Sequence, residues 1–204
     1  ATCDGDYGPG KWKKIGLLEY ANRDVIGEEG HKVFVVQDAD RINSAAFING
    51  EYWHFLAHYR GYNKVILVAK AKSLIGPWVV QEEPVIDLGA EDEFDGYNCD
   101  SPTAYWFAER GEVLMYYKGY PRKPQVDQRL SPMGSTPAAA VMKPGDRVAT
   151  KLGKILSLPE IEGHWASGWM STPQIVKARD GGWYGIVNAS STQPAPVEEE
   201  PAMR

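Results

Sequence analysis

Three acidic residues lie shortly before runs of apolar residues. A side chain at the start of a strand can face a binding site at that end of the fold. Asp100 directly precedes Ser-Pro and an apolar run, and Asp40 and Glu162 lie a few residues before two further runs. Two carboxyl groups that converge on one substrate can act as a general acid and a general base. These residues are therefore candidates for acid/base chemistry. Asp100 could equally cap the turn that follows it.

The surroundings of Glu162 favour a proton donor. His164 and Trp165 follow it within the stretch EIEGHWASGW. An indole beside a carboxyl group raises the pKa of the acid, which keeps its proton available near neutral pH. The alternative is an ordinary solvated loop glutamate. If the site binds a substrate, His164 and Trp165 are candidates to contact it.

Four other side chains are candidates for substrate binding near Asp100. Asp95 and Tyr97 lie in the acidic loop EDEFDGYNC that leads to Asp100, from which Asp95 could reach the same site. His58 and Lys118 end two similar apolar runs, LAHYRG and MYYKG. Side chains at matching strand ends could face one site, although exposure at the edge of a sheet is the alternative.

No motif for a metal or a cofactor is present. The acidic loop lacks the D-x-[DN]-x-[DN]-G spacing of a calcium loop, and the histidines lack H-E-x-x-H spacing. Gly5, Gly8 and Gly10 have neither the Lys-Ser/Thr of a phosphate-binding loop nor the context of a dinucleotide-binding turn. We therefore expect chemistry that uses side chains alone.

The elements that must position these residues are short strands in a repeating pattern. The clearest copy runs from Asp100 through apolar residues 103–107, a turn at Gly111 and a second run at 113–117, which predicts a β-hairpin. Its third and fourth strands are predicted at 136–143 and 154–158. An earlier copy runs from 43 to 86, with strands at 43–48, 51–59, 64–71 and 78–86 and an Asn-Gly turn after the first. A later copy at 171–190 has two strands.

The repeat predicts an all-β fold. Ala45, Pro102 and Pro173 occupy matching places, 57 and 71 residues apart. Four-stranded antiparallel sheets repeated at such intervals indicate a β-propeller. The opening runs at 14–20 and 32–36 then fit the third and fourth strands of a preceding blade, which gives about three blades within residues 1–192. A β-sandwich built from the same hairpins is the alternative.

A ring of blades needs more than this sequence supplies, so we expect a second chain or a missing segment to complete the propeller. Residues 193–204 are rich in Pro and Glu and are predicted to be a disordered tail.

Composition restricts the partners. The net charge is −5 and the basic residues form no cluster, which argues against nucleic acid. No stretch has the roughly 18 apolar residues of a membrane span. The 7 tryptophans and 11 tyrosines suit a pocket for a flat polar ligand such as a sugar ring, although the core accounts for most of them. Carbohydrate is therefore the expected partner.

Two features of the sequence bear on the location of the protein. Cys3 and Cys99 could form a disulfide or remain two buried thiols. The sequence starts with Ala-Thr-Cys, which fits a processed secreted protein, a trimmed chain or part of a longer one. A secreted or periplasmic location is slightly favoured.

Two segments resemble a known group of enzymes. The segment GEYWHFLAHYRGYNKVILVAKAKSLIGPW is similar to a recurring blade signature through Gly50, Tyr52, Trp53, Ala69, Lys72, Ser73, Gly76, Pro77 and Trp78. The segment SPTAYWFAERGEVLMYYKG is similar to a second signature through Pro102, Gly111, Met115, Tyr117 and Gly119. Both signatures belong to the five-bladed β-propeller glycosidases of glycoside hydrolase family 43 and its relatives in families 32, 62, 68 and 117.

The resemblance implies hydrolysis of a glycosidic bond in a furanoside or pyranoside, such as an arabinoside, a xyloside or a fructoside. It implies that Asp40 is the base, that Asp100 orients the substrate or sets a pKa, and that Glu162 is the proton donor. In these enzymes the acids lie at the starts of the innermost strands. The matching places here are Asn43, Asp100 and Ser171, so only the middle copy carries an acid.

Two other functions remain open. A propeller without the full set of acids could bind carbohydrate, or support an assembly, without catalysis. A β-sandwich interaction domain of unrelated function is the third hypothesis.

Overall fold

The structure is a computed structural model that describes residues 17–27, 33–41, 44–121, 135–156, 169–178 and 180–190. Apart from a short 3-10 helix at Arg23–Val25, its regular elements are strands, and no described helix is long and apolar enough to cross a membrane. The strands are β1 (Val33–Val35), β2 (Gln37–Asp38), β3 (Phe47–Ile48), β4 (Glu51–Arg60), β5 (Asn63–Ala71), β6 (Val79–Val80), β7 (Asn98–Phe107), β8 (Glu112–Tyr120), β9 (Thr136–Met142), β10 (Thr150–Lys154), β11 (Trp169–Met170), β12 (Gln174–Lys177), β13 (Trp183–Ile186) and β14 (Ala189–Ser190).

The first sheet is the antiparallel meander that the earlier copy predicts. β3, β4, β5 and β6 follow one another, and the long β4–β5 pair runs from Tyr52 opposite Ala71 to Arg60 opposite Asn63. The turn between β3 and β4 has positive φ at both Asn49 (50°) and Gly50 (89°). This is the backbone that a type I′ hairpin requires, because its twist matches that of the strands.

The innermost strand of this sheet consists of two pieces, which corrects the prediction for the run at 32–36. β1 pairs antiparallel with β4, with Val33 opposite Leu56, so this strand belongs to the first sheet and not to a preceding blade. The polypeptide then leaves the sheet, and β2 lies parallel to the end of β7 with Asp38 opposite Trp106. It returns to β4 as β3. The intervening excursion joins the first sheet to the second.

The run at 14–20 also differs from its prediction in its described part. Residues 17–19 form no strand, and Tyr20 makes a single bridge to Trp78. Glu19 and Ala21 exchange backbone hydrogen bonds with Trp78, so this segment lies along the outer edge of the first sheet. Residues 14–16 lie outside the described part of the chain.

The second sheet has the order β10-β9-β8-β7-β2, and β7 to β10 form an antiparallel meander. The prediction is therefore confirmed for three strands, while the fourth begins at Thr150 and not near Lys154. The later copy forms the predicted two-stranded pair, β12 with β13, and β11 pairs with β14.

The two large sheets pack face to face over the main core. Phe55 and Val68 of the first sheet and Met115 and Tyr117 of the second are fully buried in one cluster. The opposite face of the first sheet buries a second cluster around Trp78, which the segment containing Ile26 covers. A sheet that is packed on both faces is typical of a propeller blade, because its strands alternate between two apolar neighbours.

A close approach at Gly119 fixes the loop that precedes β7. A Cβ atom at Gly119 would lie 2.5 Å from the Phe94 ring and 2.8 Å from the Asp95 Cβ atom. Gly119→Ala is therefore expected to lower the free energy of unfolding by about 1–3 kcal/mol, because the loop must shift. Urea unfolding measures this change.

Gly182→Ala is the matched control for this variant. Its added Cβ would meet only side-chain atoms at the surface, those of Asp180 at 3.1 Å and of Tyr184 at 3.3 Å. We expect its urea midpoint to stay close to that of the wild type, because these exposed side chains can move aside. Equal losses in the two variants would contradict the tight packing at Gly119.

Candidate functional site

Asp100 lies near the start of β7 with its carboxylate held on both oxygens. Its Oδ2 atom is 2.8 Å from Nζ of Lys64, and its Oδ1 atom accepts a hydrogen bond from the Ser101 N–H at 2.6 Å. The Asp100 side chain is 14% exposed and the Lys64 side chain 24%, so the ion pair is partly shielded yet reaches the surface. A ligand can therefore reach this carboxylate.

The charge state of Asp100 follows from these contacts. Burial raises its pKa, but the hydrogen bond and charge of Lys64, the Ser101 N–H and the charge of Lys118 lower it more, so the pKa lies below its ordinary value. The pKa of Lys64 is raised: burial lowers it, and Asp100 together with Tyr59 more than compensates. Asp100 is thus an ionised hydrogen-bond acceptor near neutral pH, and it is poorly suited to donate a proton.

The first sheet reaches across to position this part of β7. The side chain of Asn63 donates a hydrogen bond to the Tyr97 carbonyl at 2.7 Å, and the Lys64 N–H donates to Oδ1 of Asn98 at 2.6 Å. Tyr97 in turn donates its N–H to the Tyr120 carbonyl. The predicted site residue Tyr97 therefore contacts the first sheet through its backbone, three residues before Asp100, and it is half-buried.

The backbone at Ser101 is bent into an unusual conformation. Ser101 has a φ of 49°, and the pairing of β7 with β8 shifts register between Asp100 and Thr103. A non-glycine residue in the left-handed region costs about 1 kcal/mol, and such residues are common at functional sites. The register shift follows directly after Asp100, whose side chain contacts Lys64 of the first sheet.

The strand starts around Pro102 in the second copy and Pro173 in the third copy lie next to each other. The Thr172 hydroxyl donates a hydrogen bond to the Ser101 carbonyl at 2.6 Å, and the Thr103 hydroxyl donates to the Pro173 carbonyl at 3.2 Å. The sequence alignment of Pro102 with Pro173 therefore corresponds to neighbouring strand starts. Asp100 is the acidic residue at this junction.

His58 and Lys118 lie at the same end of the sheets as Asp100. Lys118 is opposite Asp100 in the β7–β8 pair, and its Nζ atom lies 5.7 Å from the centre of the Tyr120 ring. His58 is opposite Val65, which packs in the second cluster, so its side chain lies on the other face of the first sheet from Lys64. Both His58 and Lys118 are half-buried. The structure thus brings Lys118 close to Asp100, while Tyr97 and His58 share only the end of the sheets with them.

Asp40 lies at the other end of β7. It follows Asp38, which is opposite Trp106, six residues beyond Asp100. At about 3.3 Å per residue this is roughly 20 Å along the strand. The Asp38 carboxylate accepts the N–H groups of Asp40 and Arg41 and so closes a turn. The structure therefore does not bring Asp40 together with Asp100, which corrects the expectation that the two converge.

The same register corrects the place assigned to Asn43. Asp100 is opposite Lys118, near the end of β8, the second strand of its sheet. The strand that lies opposite residues 54–56 of β4 is β1. The first-copy equivalent of Asp100 is therefore N-terminal to Val33, outside the described residues.

Asp95 is buried, which corrects the expectation that it reaches the site surface. Its side chain is 1% exposed, and its Oδ2 atom lies 2.8 Å from Nζ of Lys151 and accepts a 2.8 Å hydrogen bond from the Tyr117 hydroxyl. Cys99 lies beside it, with its Sγ atom 3.9 Å from Oδ2. Burial and the neighbouring carboxylate raise the pKa of Cys99 and of Tyr117. Asp95 thus ties the loop before β7 to β8 and β10.

Three predicted site residues cannot be placed. Glu162, His164 and Trp165 lie in the stretch 157–168, outside the described residues. Their proposed roles therefore remain predictions.

An open cleft of about 600 Å³ lies between the innermost strands of the three copies. The residues that line it come from β1, β2, the segment before β3, β7 and β12, with Leu74 at its edge: Val33, Phe34, Val35, Gln37, Ser44, Ala45, Leu74, Thr103, Ala104 and Gln174. Amide and hydroxyl groups on an apolar wall can bind sugar hydroxyls and the apolar face of a sugar ring.

None of the described residues that line this cleft is a carboxylate. Over the described ranges, no group of three or more His, Cys, Asp or Glu side chains could hold a metal ion.

Known proteins resemble this one in structure but not detectably in sequence. No protein-family model matches the sequence, and no curated protein sequence matches it. Among solved structures it is similar to a family 117 glycoside hydrolase of the marine bacterium Zobellia galactanivorans, with 13% identity, a TM-score of 0.57, and coverage of 81% of this chain and 50% of that one. The fold of this protein is that of part of a β-propeller.

Two other structures give the same result. A glycosyl hydrolase from Bacteroides ovatus is 13% identical with a TM-score of 0.55, over 80% of this chain and 46% of that one. The protein BT0996, solved as a complex with RGII, is 16% identical with a TM-score of 0.53, over 74% and 46%.

These similarities confirm the predicted fold class, which is a propeller with an incomplete ring, and they argue against the β-sandwich. The protein spans about half the length of the structures that it matches.

Lys64 is the site residue that the sequence interpretation missed. It is 36 residues from Asp100 and lies on a different sheet. The sequence has no local signal for this contact, because Lys64 stands at the polar start of an apolar strand, where a lysine is ordinary. Asn63 and Asn98 were missed for the same reason.

Proposed function

We propose that this protein forms part of a glycoside hydrolase-like propeller that acts on an oligo- or polysaccharide, with its binding region at the start of β7. The observation that carries this proposal is the ionised, partly exposed carboxylate of Asp100 at the junction of the second and third copies. The glycosidase-like fold supports it. Hydrolysis of a glycosidic bond typically uses two carboxyl groups with different roles.

The contacts of Asp100 restrict its role. Because Lys64 and the Ser101 N–H stabilise its ionised form, Asp100 accepts hydrogen bonds from sugar hydroxyls and orients the ring. The proton donor must then be another acid, and Glu162, next to His164 and Trp165, is the residue we propose for this role. Lys118, opposite Asp100 in the β7–β8 pair, supplies a further polar contact, and Tyr97 and His58 at the same end of the sheets stay proposed contacts.

A carbohydrate ligand agrees with the surroundings of the site. Amide, hydroxyl and aromatic groups line this end of the sheets and the adjacent cleft. One of the similar structures is a complex with the saccharide RGII. An assembly that completes the ring, from a second chain or from further sequence, belongs to the same proposal.

Binding without catalysis is the second candidate, and a specific observation favours it. The described acids do not converge: Asp40 lies at the far end of β7, Asp95 is buried, and the lining of the cleft has no carboxylate. A saccharide-binding propeller needs only Asp100 and its polar neighbours.

Hydrolysis of a panel of aryl glycosides by the wild type and by Asp100→Asn tests the proposal. If Asp100 binds the sugar in the transition state, loss of its charged hydrogen bond lowers kcat/KM by roughly 10- to 100-fold on the best substrate. Glu83→Gln is the matched control, because it removes an exposed carboxylate that is paired with Arg147 elsewhere on the surface. We expect its kcat/KM to equal that of the wild type.

Calorimetric titration with the same sugars separates the two candidates. An enzyme binds and hydrolyses them, whereas a binding module shows affinity that Asp100→Asn weakens and no turnover. Wild-type protein that neither binds nor hydrolyses any saccharide of the panel would contradict both. Equal kcat/KM values for wild type and Asp100→Asn would remove Asp100 from the mechanism.

A further inference from the structure

The two residues that close the turn between β4 and β5 and begin β5 make three successive contacts with the start of β7. Asn63 binds the Tyr97 carbonyl, the Lys64 N–H binds the Asn98 side chain, and the Lys64 ammonium binds Asp100, at 2.7, 2.6 and 2.8 Å. The first two contacts hold backbone and amide groups. The third contact is made to the Asp100 carboxylate, which is the charged group among these three partners.

The ammonium of Lys64 is itself fixed in place. Its Nζ atom lies 4.9 Å from the centre of the Tyr59 ring, on the neighbouring strand, and its side chain is only 24% exposed. A partly buried ion pair is less screened than a surface pair, and its direction is set by the strands that carry it. Lys64 therefore presents its charge to Asp100 from one direction.

Few charged groups face Asp100 from the surrounding described elements. Lys64 approaches from β5, Lys118 approaches from β8, and the Ser101 N–H comes from β7 itself. Of these, Lys64 makes both a hydrogen bond and a charge interaction, while Lys118 acts through its charge. The two lysines thus have different expected effects, which allows one to control for the other.

We propose that Lys64 is a positioning residue of the saccharide site: its ammonium, carried by the neighbouring sheet, pairs with the Asp100 carboxylate and holds it in one orientation. This inference rests on the proposed function of Asp100 as an acceptor for sugar hydroxyls. The Lys64 side chain acts through Asp100, and its effect on the ligand is indirect. The packing of the first sheet on the second therefore determines how the Asp100 carboxylate is oriented at the start of β7.

A carboxylate that loses this partner changes in two ways. Its orientation is no longer fixed on the Oδ2 side, and its ionised form is less favoured, so its pKa rises toward the ordinary aspartate value. Saccharide binding then requires the carboxylate to be ordered first. On acidification, saccharide affinity is also lost at a higher pH than in the wild type, because the Asp100 carboxylate takes up its proton at a higher pH.

Titration of the Asp100 side-chain carboxyl by ¹³C NMR tests the proposal without a substrate. Lys64→Met keeps the aliphatic stem and removes the charge, so the pKa of Asp100 is expected to rise clearly. Lys64→Arg keeps the charge and should hold the pKa near its wild-type position. Lys118→Met should raise it by a smaller amount. Asn63→Ala removes a contact of the same turn and is expected to leave the pKa unchanged.

Calorimetric titration with the best-bound saccharide of the aryl glycoside panel gives the functional half of the test. At neutral pH we expect Lys64→Met to weaken its affinity by about tenfold and Lys64→Arg to restore most of it. The acid limb of the affinity profile should move to higher pH in Lys64→Met only. Unfolding curves establish that each variant is folded under the conditions of the titration.

The outcomes separate this inference from the proposed function. An Asp100 pKa that is the same in wild type and Lys64→Met overturns the positioning role, whatever the wild type binds. The same conclusion follows if Asn63→Ala moves the pKa as much as Lys64→Met, because the effect would then come from the docking of the turn. A clear rise in Lys64→Met alone supports the pairing, and a wild type that binds no saccharide then overturns the proposed function.

Discussion

Asp95→Ala is expected to lower the free energy of unfolding by about 2–3 kcal/mol, because a buried carboxylate that holds two partners is removed. The Asp95 carboxylate neutralises Lys151 and accepts the Tyr117 hydroxyl in the interior between the loop and the second sheet. Its removal leaves the ammonium partly buried without its counter-charge and the hydroxyl without its acceptor. Urea unfolding at neutral pH measures the change.

Companion variants identify the source of this loss. Tyr117→Phe removes the hydroxyl and should cost about 1–3 kcal/mol, because one oxygen of a buried carboxylate loses a partner. Asp92→Ala, in the exposed part of the same loop, is the matched control and should have little effect. The double variant Asp95→Leu/Lys151→Met should recover part of the stability, because a buried pair can be replaced by apolar groups at little cost.

The same variants decide between a structural and a binding role for Asp95. The structure makes Asp95 part of the scaffold that holds the loop ahead of β7, so saccharide affinity should fall only as far as unfolding explains. A stably folded Asp95→Ala protein that has lost saccharide binding would contradict the buried, structural role. It would restore the sequence-based expectation that Asp95 contacts a ligand.

The strands of the fold are predictable from the sequence because their signals are local. Alternating aromatic and β-branched residues, with Asn49-Gly50 and Gly111 at the turns, define β4, β5, β7 and β8 within a few residues. β10 is less distinct, since the stretch at 150–154 has the burial pattern of an edge strand and few apolar residues. The sequence therefore predicts its start too late.

Pairings between distant strands are not predictable in the same way. Residues 32–36 look like a strand in either of two sheets, and only the contact between Val33 and Leu56 shows which sheet they join. The excursion of β2 to the end of β7 has no sequence signature, and it is what separates Asp40 from Asp100. A regular repeat would place the acids at equivalent positions in each copy. The excursion that interrupts the innermost strand of the first sheet removes this equivalence for Asp40.

The candidate site shows the same division between local and distant information. Asp100 is identifiable because it precedes a Ser-Pro strand start, which is a local feature. Its partner Lys64 and the burial of Asp95 depend on how one sheet packs on another, and packing partners leave no periodic trace in the sequence. Chemistry that is set by such contacts, such as the charge state of Asp100, could be derived only from the structure.

His54 makes the stability of the first sheet sensitive to acid. It is fully buried, its ring centre lies 4.1 Å from that of Trp78, and the Tyr20 hydroxyl lies 3.4 Å from its Nε2 atom. Its Nδ1 atom has no hydrogen-bond partner in the described part of the chain. Burial accordingly lowers the pKa of His54 to about 4. A protonated imidazole would be a buried charge without a counter-ion among these neighbours.

The pH dependence follows from this shift. The unfolded chain takes up a proton on His54 near the ordinary pKa of about 6.5, while the folded protein resists protonation until about pH 4. The unfolded state therefore binds more protons between these values, and the free energy of unfolding falls as the pH falls. The expected loss is about 3 kcal/mol in all, and it is absent above about pH 7. Urea midpoints at a series of pH values measure it.

His54→Phe isolates the contribution of the imidazole from that of other titrating groups. Phenylalanine keeps a ring against Trp78 and cannot be protonated, so both proteins share the acid losses of the carboxylates. The difference between their unfolding free energies should be constant above about pH 7 and should change steadily, at the expense of the wild type, between about pH 6.5 and 4. Parallel curves across this interval would show that His54 titrates alike in the folded and unfolded chains. The docking of the Tyr20 segment on the first sheet would then not depend on a neutral imidazole.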